Sequence, residues 1–104
     1  MDNQKIQHYG EELYQAWLSR RPVQPLIERE PEITIEDAYR IQEAFVARRV
    51  AAGETIVGKK IGATSLAVQE MLGVYQPDFG MLLSGMVYQE GDTIDLSQLI
   101  QPKA

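Results

Sequence analysis

The chain has 104 residues, room for one small domain with a modest core, and its 44% apolar and 24% charged residues are ordinary for a water-exposed globular fold. Fifteen acidic side chains against ten basic ones give a net charge of −5, which argues against a phosphate-binding surface built from clustered Lys and Arg. The absence of cysteine excludes disulfides, a thiolate nucleophile and a thiolate metal site, and the single histidine, His8, excludes a histidine-rich zinc centre within the chain.

Taken in order, Met1 to Ile6 carries no apolar signal-peptide core. No run approaches the ~20 apolar residues that span a bilayer. A cytoplasmic protein with no membrane partner is the expectation. From residue 4 to 18, Ile6, Tyr9, Leu13 and Trp17 recur at spacings of three and four, which predicts a helix with one apolar face. Tyr9, Tyr14 and Trp17 read as packing aromatics, and His8 as an exposed side chain. Pro22, Pro25 and Pro31 cannot continue a helix, so residues 21–33 read as an extended connector. Glu28, Glu30, Glu32 and Glu36 form an acidic rim along it, without the compactness of a metal site.

Thr34 with Asp37 three residues on has the spacing of a capping box, opening a second helix over 35–52 that Gly53 stops. The basic pairs Arg20-Arg21 and Arg48-Arg49 read as solvated surface. A strand is expected at 56–61, a third helix over 65–72 capped by Thr64 or Ser65, and strands at 79–83 and over 85–96, the last interrupted by a turn at Glu90-Gly91-Asp92. The whole reads as α+β. The C-terminal strands have no obvious partners here, and open edges are a pairing liability.

Two ionisable groups of opposite sign sit at the ends of short apolar segments. Lys60 lies between Gly58 and Gly62, and Asp78 follows Pro77 in a turn. Alternation puts Lys59 and Lys60 on opposite faces of a strand, so only one of them enters a given cleft. Lys60 has two readings, an active-site ammonium or a surface lysine whose stem runs along the sheet. Asp78 also has two, a proton-handling carboxylate or a turn aspartate bonding its own backbone. Thr64 and Ser65 serve as caps, and the helix they open could receive an anion.

An ordered set of motifs carries a resemblance: Gly58-Lys59-Lys60-Ile61-Gly62, Thr64-Ser65, Val68-Gln69, Leu72-Gly73-Val74 and Gln76-Pro77-Asp78-Phe79-Gly80. In that spacing the chain resembles the 2-keto-4-pentenoate hydratases (2-hydroxypenta-2,4-dienoate hydratases) of aromatic meta-cleavage catabolism. The resemblance covers essentially all 104 residues but only the N-terminal part of a family member. It implies the helical and mixed part of one fumarylacetoacetate-hydrolase-like domain, lacking most of the β-rich C-terminal part.

The resemblance implies a metal-dependent hydro-lyase that adds water to 2-hydroxypenta-2,4-dienoate, giving 4-hydroxy-2-oxopentanoate. Lys60 and Asp78 would be catalytic, and Thr64, Ser65 and the backbone around Leu83 would bind substrate. Mg²⁺ or Mn²⁺ is the implied cofactor. Leu99-Ile100-Gln101-Pro102-Lys103 resembles the lead-in to the family's Glu-x-Glu strand, so the metal ligands would fall beyond Ala104, leaving none in this chain. The isolated chain would then be inactive. A homo-oligomer, or a complex with a decarboxylase, is the implied assembly. Two alternatives stand beside this reading: the related 4-oxalocrotonate decarboxylase, and a non-catalytic fragment or assembly module.

Overall fold

A computed structural model describes residues 1–103. Where the composition suggested one small domain, the chain divides into two compact units: Met1–Gly53 with the segment from Tyr88 onward, and Glu54–Val87.

The first unit is built on two long helices, α1 (Asn3–Ser19) and α3 (Ile35–Ala51). Asp2 caps α1 by accepting the Lys5 N–H at 2.8 Å, and Arg20 ends it in the left-handed conformation with φ 57°. The Thr34 hydroxyl accepts the Asp37 N–H and the Asp37 carboxylate accepts the Thr34 N–H, each at 3.1 Å, so two otherwise orphaned donors are satisfied at the start of α3. The stripe on α1 buries Ile6 and Tyr9 against Ile41 of α3, with Leu13, Leu26, Ile33 and Ala44 packed around them. Gly10 lets the two helices approach, since a Cβ there would lie 2.6 Å from Ala44 Cβ.

Three expectations change in this unit. The connector is not wholly extended: Leu26–Arg29 makes one helical turn, α2, directly after Pro25. Proline's fixed φ and missing N–H suit the entry to a helix, and Leu26 gains burial by turning inward. Glu30 is not a free rim acid, because it accepts the Tyr9 hydroxyl at 2.7 Å and pairs with Lys5. The Arg48-Arg49 pair is not simply solvated. Arg49 is 3% exposed, with its guanidinium 3.8 Å from the Trp17 ring centroid, and Arg48 lies 4.1 Å from that of Tyr14 while pairing with Glu11. Guanidinium planes stack on aromatic faces, so charge periodicity alone does not report their burial.

The second unit is a two-stranded antiparallel sheet with one short helix. Strand β1 (Ile56–Gly62) leads through α4 (Leu66–Leu72) to β2 (Asp78–Leu83). The register pairs Gly58 with Leu82, Lys59 with Met81, Lys60 with Gly80, Ile61 with Phe79 and Gly62 with Asp78, with an irregularity between Ile56 and Gly58. Ser65 caps α4 by accepting the Val68 N–H at 3.2 Å, and Gly73 ends it with φ 72°.

The strand expected over 85–96 does not form. Ser84–Met86 is a 3₁₀ turn, and Leu96–Gln98 is another. Between them the Asp92 carboxylate accepts the Gln89 N–H at 2.6 Å, around Gly91 with φ 88°. Farther on, Asp95 accepts the Ser97 N–H at 2.9 Å. Local Asp-to-backbone bonds of this kind compete with a strand ladder and win where no partner strand is at hand.

Candidate functional site

The β1–β2 register determines which side chains meet. Side chains alternate along each strand, so Gly58, Lys60 and Gly62 share a face with Leu82, Gly80 and Asp78. Lys59, Ile61, Met81 and Phe79 occupy the other. Lys60 and Asp78 are diagonal neighbours on the first face, and the Lys60 ammonium donates to Asp78 Oδ1 at 3.4 Å. Both side chains are more than half exposed, at 55% and 58%.

Two glycines make that meeting possible. The Lys60 stem lies over Gly80, where a Cβ would sit 3.4 Å from Cε and 3.5 Å from Cγ. The Asp78 carboxyl lies over Gly62, where a Cβ would overlap Oδ1. Glycine inside a strand costs roughly 0.5–1 kcal/mol relative to alanine. An exposed ion pair returns about 0–1 kcal/mol. Two glycines beneath one exposed pair therefore cost at least as much stability as the pair supplies. Stability alone does not account for the arrangement, and glycines at such positions mark close approach of a side chain or ligand.

The remaining sequence-predicted residues are placed differently. Thr64 and Ser65 follow β1 after Ala63 and are exposed, with the Ser65 hydroxyl engaged in capping. Leu83 is fully buried and its N–H donates to Met86 Sδ at 3.5 Å, so its side chain presents no surface to a ligand. The structure thus brings Lys60 and Asp78 together and leaves Leu83 as a packing residue at the end of β2.

Gln69 has a role that sequence reasoning missed. It is buried, and its side-chain amide donates to the Ala63 carbonyl at 2.9 Å. Ala63 stands in the left-handed region, φ 51°, in the turn that joins β1 to Thr64 and Ser65. The signal was its place in the Val68-Gln69 motif, one turn past the cap on an otherwise exposed helix. An open cavity of about 410 Å³ is lined by Leu66, Gln69, Glu70, Gly73, Val74 and Tyr75. It contains neither Lys60 nor Asp78, and is a groove along α4 with no convergent charges.

Among the described residues no group of three His, Asp or Glu side chains comes close enough to hold a metal ion. Asp78 is directed at an ammonium, so the donor set here does not fit a divalent cation. No described helix is long and apolar enough to cross a membrane.

Comparison with known proteins gives the pair its context. The chain is 53% identical over 105 residues to a 2-hydroxypent-2,4-dienoate hydratase of Pseudomonas putida, covering 100% of this chain and 47% of that protein. It is 48% identical to a 2-hydroxyhexa-2,4-dienoate hydratase of Comamonas testosteroni, covering 99% of this chain and 40% of the relative. It is 44% identical to a 2-keto-4-pentenoate hydratase of Paraburkholderia xenovorans, covering 99% and 38%. The chain is a homologue of the 2-keto-4-pentenoate hydratases. No family model matches it.

The chain spans less than half the length of the hydratases it matches. Among solved structures it resembles a 4-oxalocrotonate decarboxylase from Pseudomonas putida G7 complexed with magnesium and adipate, at TM-score 0.91 and 31% identity, over 96% of this chain and 38% of that one. The same decarboxylase complexed with calcium and acetate superposes at TM-score 0.92. The mixed helix-and-sheet fold of this chain therefore matches part of that larger decarboxylase structure.

Proposed function

We propose that this chain is part of a cytoplasmic hydratase with a fumarylacetoacetate-hydrolase-like fold, converting 2-hydroxypenta-2,4-dienoate to 4-hydroxy-2-oxopentanoate in aromatic meta-cleavage catabolism. The observation that carries the reading is Lys60 and Asp78 held together on one face of the sheet, in a homologue of dienoate hydratases.

The chemistry needs what that face supplies. Ketonising the dienol removes the proton from the 2-hydroxyl and adds one at C5, giving a conjugated enone. Water then attacks C4, leaving an enolate that takes a proton at C3. Charge gathers on the 2-oxygen in both steps, and the substrate carboxylate is anionic throughout. The Lys60 ammonium opposes that charge, a preorganised electrostatic role. The Asp78 carboxylate takes up and returns the proton. The 3.4 Å contact between them holds the two groups side by side on the face the substrate would meet. Thr64 and Ser65, at the end of β1, would contact the acid end of the substrate, with the backbone at Leu83 bordering it.

The same proposal includes a divalent cation, magnesium or manganese, held by carboxylates outside these 104 residues, and a homo-oligomer as the working assembly. Magnesium and calcium in the two decarboxylase structures support the cation. No step assigned to Lys60 or Asp78 depends on it.

The structural likeness raises decarboxylation of 4-oxalocrotonate as a second reading. Higher identity to the hydratases, 44–53% against 31%, favours hydration. The test is to offer the full-length protein both substrates, following loss of the dienoate chromophore in one assay and carbon dioxide release in the other. Dienoate hydration is the expected outcome. Carbon dioxide release without hydration would move the protein to the second reading, and neither activity would leave a binding or assembly role.

A further inference from the structure

We propose that Gly62 is a positioning residue for Asp78, its missing side chain being what lets the carboxylate reach Lys60. The inference rests on the hydratase reading for its consequence in turnover, but its geometry stands on the sheet alone. Gly62 and Asp78 are register partners across the antiparallel ladder, so their Cβ directions share a face. The Asp78 side chain folds over Gly62. A Cβ there would overlap Oδ1 and lie 3.1 Å from Cγ and 3.3 Å from Oδ2. Oδ1 is also the atom that accepts from Lys60 Nζ at 3.4 Å. One added methyl group would therefore claim the space of the oxygen that makes the pair.

The conflict has a particular outcome because aspartate is short. Its carboxyl swings on two torsions, so a methyl at position 62 displaces the carboxyl group and leaves the strands paired. Gly62 has no positive φ, so the demand for glycine is steric and not conformational. Gly80 provides an internal contrast. A Cβ there would meet the Lys60 stem at 3.4–3.9 Å, ordinary contact distance that a long flexible side chain accommodates.

The test uses the full-length protein with Gly62→Ala, Gly80→Ala, Asp78→Asn and the Gly62→Ala/Asp78→Asn double variant. Gly62→Ala is expected to lower kcat by roughly 10²-fold with KM nearly unchanged, the scale of loss that a 1 Å misplacement brings. Gly80→Ala should lose less. The double variant should be no slower than Asp78→Asn alone, because the methyl then displaces a group already disabled. A crystal structure of Gly62→Ala should show Asp78 Oδ1 beyond ion-pair distance of Lys60 Nζ with the β1–β2 register intact. Retention of the pair in that structure would overturn the proposal, as would full activity of Gly62→Ala or multiplicative losses in the double variant. If the parent protein hydrates no dienoate, the hydratase reading fails, and the crystal structure alone still decides the positioning role.

Discussion

Lys60 and Asp78 meet on a diagonal across the β1–β2 ladder, Nζ to Oδ1 at 3.4 Å, each seated over a glycine of the opposite strand. Its neighbour Lys59 lies opposite Met81 on the other face. Two adjacent lysines therefore occupy different environments with no difference in local sequence chemistry.

That separation sets the first expected outcome. In the full-length protein Lys60→Ala should lower turnover by roughly 10²-fold or more, as loss of a positioned electrostatic group does. Lys59→Ala should leave turnover close to the parent's. Steady-state rates for the two variants decide the matter, and equal losses would contradict the assignment of faces.

Asp78 separates two roles through two variants. Asp78→Asn keeps the side-chain shape and a hydrogen-bond acceptor but cannot take up a proton. Turnover should fall by about 10²-fold, the low end of general acid–base contributions, with a smaller change in KM. Asp78→Ala should be at least as slow. A fully active Asn variant with a destabilised Ala variant would mean that Asp78 supports only the turn after Pro77.

The sequence was most legible where a single period governs. The stripe Ile6, Tyr9, Leu13 and Trp17 and the Thr34–Asp37 box lie on α1 and at the start of α3, whose ends fall within a residue of the 4–18 and 35–52 readings. Alternation alone separated Lys59 from Lys60. The Lys60–Asp78 pair itself was not legible, because it depends on register, and a one-residue slip in β2 would turn Asp78 to the other face. Residues 85–96 misled because their apolar content suits a strand, while Asp92 and Asp95 hold the backbone in turns. Glu30 and Arg49 misled for a related reason: a charge run shows no burial until its partners, Lys5, Tyr9 and Trp17, are brought to it by the fold.

Acid should weaken the first unit through three carboxylates. Hydrogen bonds from Arg29 hold Glu12 below the usual carboxylate range, those from Lys5 and then the Tyr9 hydroxyl do so for Glu30, and the Thr34 N–H followed by its hydroxyl does so for Asp37. Each folded-state pKa lies below its unfolded value, so in acid the unfolded state binds more protons and stability rises with pH. The contributions are complete above the unfolded values, about 3.9 for Asp and 4.3 for Glu, and are lost as pH falls through the folded ones. Melting temperature should stay level from pH 7 to about pH 5 and decline below that, since titration begins near the unfolded values. Glu30→Gln should make the decline shallower. An unchanged slope in that variant would show that Glu30 is not among the linked groups.

Thr34→Ala removes the hydroxyl that accepts the Asp37 N–H at the start of α3. The expected cost is about 1 kcal/mol, the usual worth of a Thr N-cap. Thr34→Ser should retain most of it. Denaturant midpoints for the two variants measure the difference, and a neutral Ala variant would show that water replaces the cap without loss.

Gly10 gives the last prediction, in which helix propensity and packing oppose each other. Glycine inside a helix costs roughly 0.5–1 kcal/mol relative to alanine, so propensity alone makes Gly10→Ala stabilising. The contact with α3 says otherwise. A Cβ at position 10 would stand 2.6 Å from Ala44 Cβ and 3.2 Å from the Ala44 carbonyl carbon and the Phe45 nitrogen. Two of those three atoms are backbone, so no rotamer change relieves the overlap and the helices must separate. Overpacking of that kind costs about 1–3 kcal/mol, which exceeds the propensity gain, and Gly10→Ala should destabilise. Ala44→Gly removes the nearest of the three atoms, at a helix-propensity cost of roughly 1 kcal/mol. The double variant Gly10→Ala/Ala44→Gly should therefore lose less than the sum of the single losses, a coupling of the size seen for residues in contact. Strict additivity would mean that the backbone contacts, not Ala44 Cβ, set the helix spacing. A more stable Gly10→Ala would mean that α1 and α3 are not held as close as the Ile6–Tyr9–Ile41 core requires.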